Sequence, residues 1–360
     1  MKVMFYISTI REGGAARVMT TLANQFVIEQ YATVFFVTNF VTSTDYYVDS
    51  RVNRYSIEKE ECKDSFLKKN INRVNVLRKY IMKEKPDVLI SFMTENDARA
   101  LVASKLTGVK VILSVRNDPN KLFPSFHKKM LATMVYGNAD GVVFQTSDAQ
   151  EWFPSKVQKK SRVIYNPISP KFYQVVREPR ENLVVSCGRL TISKNYPLLI
   201  SAFEEISEEF PDAVLEIYGE GKLRESIQGL IDKQKSNNIF LMGATDNVQN
   251  VLKKADVFVL ASDYEGMPNA LMEAMAAGVP CVSTDCPCGG PKSIFENEFK
   301  ELLVECGNRE DLIQKIKMLL SDSKYREKTG SAMKKCAEKF STDIIAEQWI
   351  EYIKEVCDKE

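Results

Sequence analysis

The run Val257-Phe-Val-Leu-Ala-Ser-Asp-Tyr-Glu265-Gly-Met-Pro-Asn-Ala-Leu-Met-Glu273-Ala-Met-Ala-Ala-Gly278 decides the fold. Val257–Leu260 is a short, wholly apolar strand. From Asn269 the spacing of Ala270, Leu271, Ala274 and Met275 puts one apolar face on a helix. Pro268 suits that helix's first turn, where a missing N–H costs little. Glu265 then sits on the loop and Glu273 inside the helix. A strand–loop–helix unit of this kind offers free N–H groups and a positive dipole end to a diphosphate. A carboxylate accepts two hydrogen bonds, which matches a cis-diol such as ribose O2′ and O3′. Two glutamates alone would read as a helix cap and a solvated side chain; the strand–loop–helix context points to a site.

Outward from this run the same alternation fills the chain. The expected strands before it are Lys2–Ser8, Ala32–Thr38, Asp87–Ser91, Lys110–Ser114, Gly141–Phe144 and Arg162–Tyr165, then Leu183–Cys187, Ala213–Tyr218 and Ile239–Met242; Pro280–Ser283 and Leu302–Val304 follow it. Helical stretches lie between, among them Ala15–Glu29, Ser65–Lys83, Pro197–Glu209 and Leu223–Lys235. Such alternation specifies parallel sheets with helices on both faces. Asn166-Pro-Ile-Ser-Pro170 interrupts it, and with the charged stretch Arg177–Asn182 it marks a linker over 166–182. The expected fold class is therefore α/β, two Rossmann-like doubly wound domains facing across a cleft. Residues 1–168 are expected to form the first domain, 169–342 the second, and 343–360 a final helix packing back on the first domain. Ligands of such sheets bind on loops just after strands.

Further candidates do follow strand ends. In Gly188-Arg-Leu-Thr-Ile-Ser-Lys194, Arg189 and Lys194 can converge on one anion and stabilise charge on a departing diphosphate; a solvated basic loop is the plainer reading. Gly13-Gly14 lets backbone N–H groups approach a phosphate or sugar, and it is not the G-x-G-x-x-G of a dinucleotide fold. Val115-Arg-Asn-Asp-Pro119 brings Arg116, Asn117 and Asp118 to a strand end, with Arg116 and Asp118 as catalytic candidates, although Asp118 equally suits a cap on the Pro119 turn. Glu95 and Asn96, after another strand, suit acceptor contacts or an ordinary loop. Weaker hints are Gly219-Glu-Gly221, Gly243-Ala-Thr-Asp246 and Thr284-Asp-Cys-Pro-Cys-Gly-Gly-Pro-Lys292.

These motifs resemble those of the GT4 family of retaining glycosyltransferases, which have the GT-B fold. The resemblance covers nearly the whole chain and is strongest from Leu183 to Val304. It implies that Glu273 of the E-x7-E string holds the donor ribose and that Glu265 sits by the donor sugar. It further implies a pocket lined by Gly266, Met267, Pro268 and Asn269, with Arg189 and Lys194 as the R-x4-K pair on the diphosphate. Gly13, Gly14, Gly188 and Gly243 complete the implied donor contacts. The chain departs from the family pattern at Ala16, where relatives carry Glu, at Ser293, likewise, and at Arg116, where many relatives place a His facing the donor sugar. These departures leave the group that handles the acceptor proton unassigned.

The implied activity is transfer of a hexose or N-acetylhexosamine from a nucleotide diphosphate sugar, with UDP favoured over GDP by family prevalence. The acceptor would be a glycan or lipid-linked saccharide of surface polysaccharide synthesis. No D-x-D string occurs, so the expectation is a metal-independent enzyme without a cofactor. The alternatives are a non-catalytic partner subunit, which the three departures favour and the intact Arg189, Lys194, Glu265 and Glu273 oppose, and an epimerase, which needs acid–base groups that a chain with one histidine scarcely supplies.

Bulk properties bound the rest. A length of 360 residues suits two domains, and a net charge of +1 argues against a nucleic-acid partner. The eight cysteines form no C-x-x-C pair and read as reduced thiols. No leader or membrane span is expected, hence a cytoplasmic protein. Lys59–Lys85 carries Lys63, Lys68, Lys69, Arg73, Arg78, Lys79, Lys83 and Lys85. Interleaved apolar residues are expected to face mainly the sheet, and the cations to form a solvated face or a peripheral contact with anionic membrane at the inner face of the cell, which His127, Lys128 and Lys129 could extend.

Overall fold

The computed structural model describes residues 1–11, 13–59, 65–235 and 237–359. Cys62 and Lys63 fall outside the described residues. The chain divides into two compact units: residues 1–167 with the helix Thr342–Cys357, and residues 168–341.

The first unit is built on a parallel sheet of β1 (Lys2–Ile7), β2 (Thr33–Thr38), β3 (Asn53–Ser56), β4 (Val88–Phe92), β5 (Lys110–Ser114), β6 (Gly141–Phe144) and β7 (Ser161–Val163), in the order β3-β2-β1-β4-β5-β6-β7. β1 pairs on both sides, Val3 lying opposite both Val34 and Val88. Its apolar run is what a central parallel strand with both faces covered requires. The helix Gly14–Ile28 and the helix Thr342–Cys357 meet on this core, where Phe5, Phe26, Phe36, Phe92 and Trp349 are fully buried. The Tyr352 hydroxyl accepts from Val142 N at 2.8 Å and donates to Lys160 O at 2.5 Å, tying that last helix to β6 and the approach to β7.

The second unit carries β8 (Leu183–Cys187), β9 (Val214–Tyr218), β10 (Ile239–Gly243), β11 (Val257–Leu260), β12 (Cys281–Thr284) and β13 (Leu303–Val304), ordered β10-β9-β8-β11-β12-β13. In each sheet the strand order reverses at one place, between β1 and β4 and between β8 and β11, and loops at such points are where ligands bind.

Four differences from the expectations have physical causes. β3 was not anticipated because Asn53-Arg-Tyr-Ser56 is a polar edge strand, secured by Tyr55, which stacks against Phe35 and packs at a tilt on Tyr80. The stretch expected as a linker is built into the second unit beyond Pro167: Glu178 and Arg180 donate their N–H groups to Lys253 O and Lys254 O, and the Arg177 guanidinium reaches Gly278 O and Ala255 O. Pro268 stands just before the helix Asn269–Ala276 as its cap rather than in its first turn. The polar helix Ser323–Ala337 packs on that same helix, and Gly330 permits it: a Cβ there would meet Gly278 O at 2.3 Å.

Candidate active site

In the second unit the loops after β8 and β11 flank the strand-order reversal and are stitched together. Asp263 N donates to Ser193 O at 2.8 Å, and Asn195 Nδ2 donates to Asp263 Oδ1 at 2.7 Å. Asn195 takes a left-handed backbone and caps the helix Tyr196–Glu209 through Leu198 N. This stitching carries Lys194 to Glu265: Nζ lies 2.5 Å from Oε1, each side chain being 16% exposed. Ser262 Oγ donates to the same oxygen at 2.8 Å. Arg189, five residues before Lys194, is exposed, and its guanidinium has no hydrogen bond or ion pair among the described residues.

Glu273 is buried in the second turn of the helix Asn269–Ala276, while Gly266, Met267 and Pro268 form the covered approach to it and Asn269 opens it half-buried. The Gly266 N–H has no acceptor among the described residues. The loop after β12 closes on this approach. Gly290 sits so near that a Cβ would lie 2.0 Å from Gly266 O. Thr284 Oγ1 donates to Ser262 O at 2.6 Å, from the other end of that loop.

The glycine turns after β8, β9 and β10 also lock together. Gly188 N donates to Tyr218 O, Gly219 N to Gly243 O and Leu190 N to Glu220 O. A Cβ on Gly219 would meet Gly188 O at 1.9 Å, and one on Gly221 would meet Leu190 O at 2.4 Å. The weak hint Gly219-Glu-Gly221 therefore buttresses the loop that bears Arg189. Burial pushes the Cys187 thiol up to about 12, so it is an inert thiol beneath the site. Among the described residues no group of three His, Cys, Asp or Glu side chains is arranged to hold a metal ion.

In the first unit, Gly13 caps the helix Gly14–Ile28 at φ 93°, which glycine alone adopts without strain. That helix has no side-chain cap, so its first N–H groups are open to an anion. Arg116 turns inward. Its guanidinium lies 4.2 Å from the Phe92 ring centroid and donates to Asn166 Oδ1 at 2.6 Å and to Ser114 Oγ at 3.3 Å. Burial lowers its pKa to about 9, an effect the Asp97 carboxylate opposes. Asn117 stays half-buried beside it. Asp118 is buried and accepts from Asn120 N at 2.9 Å, the cap on the turn Pro119–Leu122.

Glu95 and Asn96 occupy the first turn of the helix Thr94–Ser104 rather than a loop. Glu95 is exposed; Asn96 is buried, accepting from Ser8 Oγ at 2.5 Å and from Arg99 at 3.0 Å. Asp97, next to them, escaped sequence reasoning. It is fully buried, its Oδ2 accepts from the Tyr136 hydroxyl at 2.8 Å, and burial raises its carboxyl pKa to about 7. A charged residue in a polar run, Thr94-Glu-Asn-Asp97, carries no mark of burial.

The basic stretch is also corrected. Arg73 is buried in an ion pair with Glu58 at 2.8 Å and so does not belong to a solvated face, while the half-buried Arg78 donates to the carbonyls of Ala103, Val102 and Lys105. Phe66, Leu67 and Ile71 do not face the sheet; they are exposed. His127 lies exposed on the helix Phe126–Gly137.

Known proteins agree with this layout. The model for glycosyl transferases group 1 matches residues 170–336, and that for glycosyltransferase family 4 matches residues 12–172. An α-1,4-N-acetyl-D-galactosaminyltransferase of Campylobacter jejuni, named for a saccharide on diphospho-undecaprenol, is 27% identical over 99% of both chains. A second from the same organism, a 4-α-N-acetylgalactosaminyltransferase also named for a diphospho-undecaprenol saccharide, is 26% identical over 98% of this chain and 99% of its own. Anabaena HepE, solved in complex with UDP-glucose, superposes with a TM-score of 0.80 at 16% identity over 99% of this chain and 100% of its own. The two family matches together span most of the chain, and with the two reversed parallel sheets they carry the conclusion: this chain belongs to the family 4 glycosyltransferases, built on the two Rossmann-like units of the GT-B fold.

Proposed function

We propose that the enzyme is a retaining glycosyltransferase that moves a hexose or N-acetylhexosamine from a UDP-sugar to a lipid-linked or polymeric glycan acceptor in surface polysaccharide synthesis, without a metal ion. The observation that carries this reading is the placement of an unpaired Arg189, the Lys194–Glu265 pair and the buried Glu273 on the loops and the helix at one strand-order reversal. The relatives named for diphospho-undecaprenol saccharides support the acceptor class, and the UDP-glucose complex of a fold neighbour supports the nucleotide.

In this reading Arg189 and Lys194 hold the diphosphate, supplying the positive charge a metal would otherwise bring. Lys194 is held in place by Glu265 until the diphosphate claims it. Glu265, released from that pair, then turns its carboxylate to the sugar hydroxyls, and Glu273 holds the ribose diol. The acceptor oxygen bonds to the anomeric carbon as the bond to the diphosphate breaks, and the acceptor's proton passes to the leaving diphosphate. Asn117, Glu95 and Asn96 belong to the acceptor side of the reading, and Gly13 and Gly14 remain donor contacts. Arg116 positions the strand ends around Asn166 and does not replace a reacting histidine. Peripheral contact with an anionic membrane at the cytoplasmic face belongs to the same reading; among the described residues no helix is long and apolar enough to cross one.

The test is nucleotide release from a panel of UDP- and GDP-sugars with diphospho-polyprenyl saccharides as acceptors. UDP release that falls about 100-fold or more in Glu265→Ala, with an α-linked product from an α-linked donor by proton NMR, supports the reading. A β-linked product would refute retention. Release at the wild-type rate in Glu265→Ala would refute the site, and no release with any donor would favour a non-catalytic partner subunit.

A further inference from the structure

The helix Phe126–Gly137 of the first unit carries apolar residues on both sides. Ala132, Val135 and Tyr136 are buried. On the opposite side Phe126, Met130 and Met134 stand at i, i+4 and i+8, respectively 76%, 59% and 58% exposed. A helix on the surface of a soluble protein ordinarily places charged residues there. A second group, Phe66, Leu67 and Ile71, is exposed at the start of the helix Phe66–Glu84.

The two groups share a face. The connections β3→β4, β4→β5 and β5→β6 all step the same way across a parallel sheet. Right-handed crossovers therefore set the helices Phe66–Glu84, Thr94–Ser104 and Phe126–Gly137 side by side on one side of it. Each helix runs back against its strands, so Phe66 and Phe126 both lie toward the carboxyl ends of the strands, the edge that also carries Gly13 and Asn117.

Cations accompany the apolar residues. Lys68, Lys121 and Lys128 are exposed, and Lys129 stands 5.7 Å from the Trp152 ring centroid. An apolar stripe rimmed by lysines has one complementary partner among the obvious choices. In a symmetric contact with a second copy, each lysine-rich patch would meet the same patch on the other chain and set cations against cations. An anionic bilayer offers acyl chains to the stripe and phosphates to the rim.

We infer that this face docks on an anionic phospholipid bilayer, with Phe126, Met130, Met134 and Phe66 entering the boundary between headgroups and acyl chains and the lysines lying in the headgroup layer. The inference deepens the peripheral contact proposed above and rests on that reading. It also gives the contact a purpose: the strand ends of the first unit lie beside the headgroups, so an acceptor can present its saccharide there while its lipid stays in the membrane.

The test is flotation of the full-length protein with vesicles of phosphatidylcholine alone and of phosphatidylcholine mixed with phosphatidylglycerol. The variants are Met130→Glu/Met134→Glu and Lys128→Ala/Lys129→Ala, and the UDP-induced rise in Tm is read on every sample. The wild type should float with the anionic vesicles and lose that binding in high salt. The glutamate pair should weaken binding about 10-fold or more, and the alanine pair about 5-fold or more. Absence of wild-type binding to anionic vesicles, or equal binding by the glutamate variant, would overturn the inference. So would a concentration-dependent dimer that the glutamate pair dissolves, which would assign the face to self-association. A variant that no longer floats yet keeps its UDP-induced rise supports the inference with the donor site intact. A wild type that floats but shows no UDP-induced rise would sink the donor reading and leave the membrane face standing.

Discussion

Gly290→Ala is the substitution whose consequence the structure sets most tightly. A Cβ at this position would lie 2.0 Å from Gly266 O, 3.1 Å from Gly266 C and 3.2 Å from Pro268 Cδ, while ordinary contact starts at 3.4 Å. The two loops must therefore separate by more than 1 Å along the Cβ–oxygen line, a difference taken from those distances. The two nearest obstructing atoms are backbone and cannot rotate away. Gly266 is next to Glu265, so the retreat moves the carboxylate that pairs with Lys194 and is proposed to act on the donor sugar. A displacement of about 1 Å at a reacting centre costs roughly 100-fold in rate, and overpacking costs about 1–3 kcal/mol in stability. Sugar transfer measured as nucleotide release should fall by that factor, with a Tm drop of several degrees. Gly229→Ala is the control. It lies in the helix Arg224–Ile231 with nothing within 4 Å of its Cβ, so activity should be unchanged and stability equal or raised by about 1 kcal/mol. Turnover by Gly290→Ala within about threefold of wild type, against the expected 100-fold, would refute the coupling between these loops.

Other outcomes follow from single features. Asp97 has a carboxyl pKa raised by burial to about 7, above its unfolded value of 3.8, so the folded chain holds a proton that the unfolded chain has lost. Its stabilising contribution is complete below the unfolded value and disappears as pH rises through about 7; the Tm of the wild type relative to Asp97→Asn should therefore fall between pH 5 and about 7.5 and flatten above. Arg73→Met leaves Glu58 buried without its cation and should cost about 3–5 kcal/mol in urea unfolding, whereas Lys79→Met, on the exposed side of the same helix, should stay within about 0.5 kcal/mol. Trp349→Ala removes a fully buried indole beneath the first sheet and should cost about 3–5 kcal/mol, seen as loss of the first unit's unfolding transition to lower denaturant.

Much of the architecture could be read from residue patterns because parallel strands buried on both faces are apolar throughout. Lys110–Ser114, Gly141–Phe144, Leu183–Cys187 and Val257–Leu260 have the same limits in sequence and structure for that reason. Elements that draw stability from tertiary contacts left no such trace. Asn53–Ser56 pairs along one edge only, and Thr94–Ser104 buries Asn96, Asp97 and Arg99 where pattern reading expects apolar residues. The outward stripe of Phe126–Gly137 defeats the same rule in reverse, since apolar residues are read as inward-facing.

At the candidate site, the positions of Arg189, Glu265 and Glu273 on loop and helix were legible from strand ends and helix spacing. The contact between Lys194 and Glu265 was not, because the pair is 71 residues apart and depends on how two loops are stitched through Asp263 and Asn195. The approach of Gly290 to Gly266 was hidden for the same reason. Arg116 shows the limit of motif reading: its place after β5 was clear, but only packing against Phe92 and Asn166 turns its guanidinium inward.

The most direct test of the central claim is the shift in Tm on adding UDP to the wild type, Lys194→Ala and Glu273→Ala. Nucleotide at about 100 times its Kd stabilises a folded site by about 2.7 kcal/mol, which corresponds to roughly 5–10 °C for a unit of this size. The account predicts a rise of that order in the wild type and its loss or near-loss in both variants. A rise of equal size in all three proteins would place the nucleotide elsewhere and contradict the account.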